Sequence, residues 1–348
     1  MPACDGFCAE RPRPEHPPPT RVQPLNAPAV NVPAPKAAPA PRGNRTRSGP
    51  SFDLSVWAAQ RRHAVESALA RWVACPDTRP APAGLGEAMR YAVLDGGKRL
   101  RPLLVLAACE AVDGSQEAAL RAACALELIH AYSLVHDDMP CMDNDVLRRG
   151  KPTVHVRFGQ AQALLAGDAL QALAFELLTP DDASVSPGTQ ALMCRMLAQA
   201  AGFRGMAGGQ AIDLASVGKP LTSAQLHEMH RLKTGALLQV SVLMGAACGN
   251  PGRAAQLALS DYGAAIGLAF QVVDDVLDVV ADSGTLGKTA GKDAAQDKPT
   301  FVSLMGLRDS QNYAQELLSQ ALASLRADGL QNTAALRALA DMLVNRGF

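Results

Sequence analysis

The chain predicts an all-α domain, and three observations carry that prediction. Aromatic residues make up only 4% of the 348 residues, while alanine and leucine abound, a composition that favours helices over sheets. Apolar residues recur at helical spacing in about ten segments from Ser51 onward. No convincing run of alternating β-branched residues interrupts them.

Phe52, Val56, Val65, Leu69 and Trp72 mark a first amphipathic helix. Helical-period stretches follow around 84–95, 101–112, 116–138, 160–178, 188–203, 222–249, 253–281, 312–326 and 333–345. Gly96-Gly97, Gly150, Gly208-Gly209 and Gly284 punctuate them. The sequence divides at about residue 50. Residues 1–50 hold 13 of the 24 prolines and almost no periodic apolar residues. Such a segment buries too little surface to offset its ordering entropy, so disorder is expected there. Asp5, Glu10 and Glu15 argue against a transit peptide, leaving a real tail or a natural start further downstream. Residues 51–348 form the folded domain.

Formal net charge is zero, so no global field points to nucleic acid or an anionic membrane surface. No apolar run reaches the roughly 18 residues that suggest a membrane span, and none is expected. The first 30 residues lack the apolar core of a secretory signal. Most of the eight cysteines lie in apolar helical stretches and read as small buried hydrophobes. Cys4 and Cys8 have no second pair at zinc-site spacing. A reduced, cytoplasmic protein is the expectation.

Two aspartate clusters stand out. His136-Asp137-Asp138-Met139-Pro140-Cys141-Met142-Asp143-Asn144-Asp145 places four carboxylates within nine residues. Phe270-Gln271-Val272-Val273-Asp274-Asp275-Val276-Leu277-Asp278 puts Asp274 and Asp278 on one helix face, among apolar neighbours. Ionised carboxylates one turn apart repel, and on apolar helices a cation must relieve them. A solvated acidic face is the alternative for either cluster alone. Ligand sets of oxygen alone favour Mg²⁺, which completes its shell with water and substrate phosphate. Two such clusters predict a diphosphate held between them. Asp137 and Asp143 lie six residues apart, about 240° around an ideal helix. Pro140 between them predicts a helix end or bulge that turns Asp143 back.

Basic residues match. Gly96-Gly97-Lys98-Arg99-Leu100-Arg101-Pro102 sets three cations after two glycines, and Leu147-Arg148-Arg149-Gly150-Lys151 follows the first aspartates. Arginine forks grip phosphate oxygens, and glycines let backbone approach closely. His130 lies two turns before Asp137 on the same face. A solvated basic loop and a core histidine are the alternatives. A di-iron carboxylate bundle needs two Glu-x-x-His motifs, and only Glu127 to His130 fits. A terpene cyclase needs no second diphosphate site, which the Gly96–Arg101 segment implies. A non-catalytic subunit is expected to have lost aspartates, and both clusters are complete.

In order along the chain stand Gly-Gly-Lys-Arg-Leu-Arg-Pro, Asp-Asp-x₄-Asp with Leu-Arg-Arg-Gly-Lys-Pro-Thr, Gly-Gly-Gln-Ala-Ile-Asp-Leu, Lys-Thr-Gly-Ala, and Phe-Gln-x₂-Asp-Asp-x₂-Asp with Gly-Lys-Thr-Ala-Gly-Lys-Asp. Over roughly residues 53–348 this resembles the trans-isoprenyl diphosphate synthase (polyprenyl synthetase) family, nearest its bacterial farnesyl diphosphate synthases. The resemblance implies a single-domain helical bundle around a central cavity, usually a homodimer. It implies that Gly97, Lys98, Arg101, His130 and Arg149 hold isopentenyl diphosphate. Arg148, Lys233, Thr234, Gln271 and Lys288 then surround an allylic diphosphate. Asp137, Asp143 and Asp274 match magnesium ligands, with Asp138, Asp275 and Asp278 completing the motifs and three ions bound with diphosphate. Segments around Lys233 and Gly284–Lys298 are implied as lids. Tyr132 and Ser133, below Asp137, match the floor that sets product length, and an aromatic there favours a fifteen-carbon product. Cys141-Met142-Asp143-Asn144 also resembles plant geranylgeranyl synthases, and Asn144 and Val146 replace aspartates common in the bacterial pattern.

Overall fold

The computed structural model describes residues 52–94, 96–219, 221–280 and 300–346. The tail, Lys288 and the Gly284–Lys298 segment lie outside the described residues.

The expected helices are present. Asp53 caps α1 (Leu54–Trp72) by accepting from the Ser55 and Val56 amides. Next come α2 (Leu85–Val93), α3 (Leu100–Ala111) and α4 (Gln116–Asp137), whose Ser115 cap accepts from the Ala118 amide at 3.3 Å. One short ribbon departs from the all-helical reading: β1 (Leu147–Arg148) pairs antiparallel with β2 (Lys151–Pro152). Its central residues, Arg149 and Gly150, have φ of 53° and 75°, as two-residue hairpins require.

Beyond the ribbon lie α5 (Val154–Phe158), α6 (Gln160–Leu178) and α7 (Pro187–Ala201). Then α8 (Met206–Ala215) runs through Gly208-Gly209, so those glycines lie inside a helix rather than between two. The stretch predicted as one helix over 222–249 is three pieces. A capping box of Thr222 and Gln225 starts α9 (Ser223–His230), a π-helical turn spans Arg231–Gly235, and α10 (Ala236–Ala247) continues. The 28 residues of α11 (Arg253–Val280) span about 42 Å. Finally come α12 (Phe301–Met305), α13 (Leu307–Ser324) and α14 (Ala334–Val344).

Two apolar cores meet along α3 and α10, which contribute buried residues to both. One gathers α1, α2, α4, α6 and α7, and the other gathers α3, α10, α11, α13 and α14. Alanines 118, 119, 122, 123 and 125 make α4 slim enough to be covered on several sides. On length and composition alone α4 and α6 are apolar enough to cross a membrane, contrary to the sequence expectation of no such run. Most of that stretch in α4, and under half of that in α6, is buried against protein.

Buried charge in this core is paired. The Arg99 guanidinium, 3% exposed, donates to Glu127 at 2.5 Å, to Glu66 at 2.7 Å and to the Val93 carbonyl at 2.7 Å. This corrects the reading of three ligand-facing cations after Gly97. Arg99 turns inward at φ 49°, leaving Lys98 and Arg101.

Candidate active site

Both aspartate clusters sit at helix C-termini. Asp137 is the last residue of α4, Asp138 its cap, and Asp274, Asp275 and Asp278 occupy the last two turns of α11. Helix C-termini carry partial negative charge, so carboxylates there call for a cation. Burial is the main cause that pushes the Asp137 carboxyl up to about 6, and Asp143 adds to it against the pull of Lys233 and Arg148.

The chain beyond Asp138 turns as Pro140 predicted. The Met139 amide donates to His136, and the Asn144 amide returns to the Met139 carbonyl with Asn144 at φ 52°. The Asp143 amide then donates to the Asp137 carbonyl at 2.8 Å, bringing residues six apart together. Asp138 points elsewhere. Its buried carboxylate accepts a forked grip from Arg148, with Nε at 2.9 and 2.8 Å and Nη2 at 2.5 Å. That grip fixes the Arg148 guanidinium beside Asp137.

In the second cluster the three carboxylates take different environments. Asp274 pairs with Arg346, which reaches back from beyond α14 and lies 4.3 Å over the Phe270 ring. Asp275 turns inward, accepting the Phe301 amide and the Gln271 side-chain amide, each at 2.8 Å. Asp278 is 6% exposed, and its buried Oδ1 has no hydrogen-bond partner among the described residues.

Cations crowd the space between. Burial holds His130 well below its ordinary range, and Arg101, Arg149, Arg148 and Arg99 all push it further down. A neutral imidazole ringed by guanidiniums is a place short of an anion. Arg149 donates to the Gly96 carbonyl at 2.8 Å and lies against Gly97, where a Cβ would stand 2.9 Å from its Nη1. Burial also lowers Arg101, with Glu127 and Asp274 opposing that shift. Arg101 therefore senses both the α4 and the α11 sides.

The π-helical turn supplies the remaining cation. Lys233 pairs with Asp213 of α8, and Thr234 donates to Gln271 of α11 at 3.1 Å. Such turns insert one extra residue and recur at functional sites. Here it joins the two clusters: Lys233 lies within electrostatic reach of Asp137, while Thr234 holds Gln271 beside Asp275. A Cβ on Gly209 would stand 2.1 Å from the Lys233 nitrogen, so α8 and this turn touch backbone to backbone.

Among the described residues no three His, Cys, Asp or Glu side chains converge as a closed metal cage. Magnesium needs none, because it takes one or two carboxylates and completes its shell with water and phosphate. A carboxyl with a raised pKa at Asp137 and an unpartnered oxygen on Asp278 fit such an ion. Gln210, Asp213 and Arg346 had no role in the sequence reading. Gln210 has both amide atoms buried without partners among the described residues, and Asp213 engages Lys233. The Gly-Gly-Gln-Ala-Ile-Asp-Leu motif was the signal for the first two.

Fold and site define a helical protein that sets two carboxylate clusters at helix C-termini among arginines. The chain belongs to the polyprenyl synthetase family, whose model matches residues 82–339; the family's prenyl transferases are magnesium-dependent. A probable farnesyl diphosphate synthase of Bradyrhizobium diazoefficiens is 50% identical over 271 residues, 76% of this chain and 80% of the relative. A chloroplastic geranylgeranyl pyrophosphate synthase of Capsicum annuum is 44% identical over 296 residues, 85% of this chain and 79% of the relative. A crystal structure of geranyltransferase from Helicobacter pylori, complexed with magnesium and isoprenyl diphosphate, superposes with a TM-score of 0.73 at 33% identity. That match covers 85% of this chain and 99% of the other.

Proposed function

We propose that the chain condenses isopentenyl diphosphate head-to-tail with dimethylallyl and then geranyl diphosphate, giving farnesyl diphosphate. The observation that carries this is a pair of carboxylate clusters at helix C-termini, with Arg101, Arg148 and Arg149 all within electrostatic reach of buried His130. The family match and the farnesyl-type relative support the substrate class.

Bound magnesium, three ions with diphosphate present, supplies the charge that stabilises the departing diphosphate. Asp137, Asp138, Asp143, Asp274 and Asp278 are the assigned metal-site carboxylates. Arg148 and Lys233 add fixed positive charge on the allylic side, with Thr234 and Gln271 bracing it; Lys288, assigned to the same role by its motif, lies outside the described residues. Gly97, Lys98, Arg101, His130 and Arg149 hold isopentenyl diphosphate. The allylic C–O bond breaks, the isopentenyl double bond attacks the cationic carbon, and the departed diphosphate takes the released proton. No side chain is assigned as base. Water must be kept from the cation, and the π-helical turn that carries Lys233 packs backbone to backbone on α8 beside it.

A homodimer fits Leu164 and Leu165 of α6, about half exposed, and Phe203, 80% exposed. The cytoplasm is the proposed compartment, with residues 51–348 as the catalytic domain behind an appended N-terminal segment.

Incubating the full chain with labelled isopentenyl diphosphate, each allylic primer and Mg²⁺, then sizing products, tests the reading. A fifteen-carbon product is expected, and no incorporation with any primer removes it. A twenty-carbon product is the second reading, favoured by Cys141-Met142-Asp143-Asn144 and the pepper relative.

Two substitutions probe the site. Gly97→Ala puts a methyl group into the Arg149 guanidinium at a backbone φ of +128°. The KM for isopentenyl diphosphate is expected to rise about tenfold, roughly the loss of one charged hydrogen bond. An unchanged KM contradicts the Arg149 assignment. Tyr132→Ala is expected to lengthen the product, since Tyr132 is half-buried, and burial first and the Asp137 charge second raise its phenol. Unchanged chromatograms sink the floor.

A further inference from the structure

Tyr132 does not stand alone on its helix. His136, one turn on, presents its ring edge-to-face at 5.7 Å between centroids and 76° between planes. Helical side chains lean toward the N-terminus, so an imidazole at i+4 falls over the residue at i. What holds the imidazole there is α6. Its Nε2 donates to the Leu164 carbonyl at 3.1 Å, and the Nε2 corner of its ring fills the space beside Gly167. A Cβ at Gly167 would stand 2.0 Å from Nε2, 2.5 Å from Cδ2 and 2.8 Å from Cε1. A glycine inside a helix costs about 1 kcal/mol against alanine. At Gly167, which is buried in α6, only a missing side chain leaves room for the ring. Two fixed points on α6 therefore set the imidazole, and the imidazole sets one wall of Tyr132.

We infer that His136, pinned to α6 through Leu164 and Gly167, is the positioning residue that holds Tyr132 as the floor of the product cavity, and so fixes product length. The inference rests on the floor assigned to Tyr132 above. It adds a residue next to Asp137 that serves product length rather than diphosphate binding. It also makes α6 part of the specificity device. A growing prenyl chain pressing on Tyr132 must move a ring held on two sides, and that resistance ends elongation.

The test compares four full-length proteins, wild type, Tyr132→Ala, His136→Ala and the double variant, by thermal midpoint and by sizing products from labelled isopentenyl diphosphate. His136→Ala is expected to raise the share of products longer than the wild-type one about fivefold, the scale of one lost aromatic pair. The double variant is expected to match Tyr132→Ala, because a residue acting through Tyr132 has nothing left to act on. Longer products from Tyr132→Ala with none from His136→Ala overturn the inference and leave the floor standing. A double variant longer than Tyr132→Ala shows His136 acting on its own and overturns it too. No lengthening in any variant removes the Tyr132 floor and the inference together. If His136→Ala does not fold, His136→Asn decides, since it keeps a donor amide but lacks the ring. Its product share must then shift in the same direction, and an unchanged share overturns the inference.

Discussion

Asp137→Asn is expected to lower turnover about a thousandfold or more, the several kcal/mol that a catalytic cation contributes to charge stabilisation. The same substitution is expected to leave the metal-free protein as stable as wild type at pH 7.5, or slightly more so. Burial raises this carboxyl to about 6, above its ordinary value of 3.8. A carboxyl raised in the folded state favours the proton there. Its penalty is absent below about pH 4, grows as pH rises toward about 6, and is present in full above that. Asparagine removes the penalty together with the proposed metal ligand. Magnesium binding runs the other way, since protons and the cation compete for the same oxygens. Affinity in wild type is expected to fall steeply below about pH 6, and the asparagine variant is expected to show no such fall from this group. Thermal melts and calorimetric magnesium titrations across pH 5 to 8 check both directions. A variant with near-normal turnover at saturating magnesium contradicts metal ligation at Asp137.

Gly209→Ala is the second large effect. The added Cβ would meet the Lys233 nitrogen at 2.1 Å and its Cα at 2.5 Å. These are backbone atoms and no rotamer relieves the contact, so α8 must move away from the π-helical turn. Overpacking of this kind costs about 1–3 kcal/mol or more. Displacing Lys233 and Thr234 by about 1 Å is expected to lower kcat about a hundredfold. Gly188→Ala is the matched control. A Cβ there would stand 4.0 Å from Ser186 Oγ, and a change within about 0.5 kcal/mol is expected. Thermal midpoints and kcat for both variants check the contrast. Equal behaviour of the two would contradict a backbone-to-backbone seat for Lys233.

Much of this was readable in the chain because helical periodicity is a strong signal. The stretch 160–178 coincides with α6, and the Pro140 bulge follows from a missing amide and a 240° offset. The misses share a cause: each depends on what a neighbouring element presses against. Gly208-Gly209 reads as punctuation by local propensity, yet it lies inside α8, where side chains would run into the Phe203 carbonyl and the Lys233 backbone. Arg99 sits in a basic run, yet it turns inward because Glu127 and Glu66 wait there. The break at Arg231–Gly235 leaves the apolar pattern nearly intact, so periodicity passes over it. Arg149 at positive φ looks like any loop arginine until the β1–β2 hairpin demands it. Arg346 lies 72 positions from Asp274, beyond the reach of any local pattern.

The central claim is that the two clusters are halves of one clamp. Calorimetric titration of Mg²⁺ with inorganic diphosphate into wild type, Asp137→Asn, Asp274→Asn and the double variant tests it most directly. One shared clamp predicts that either single substitution weakens binding at least about tenfold and that the double loses little more. A single variant that binds like wild type, or losses that simply add, would contradict it.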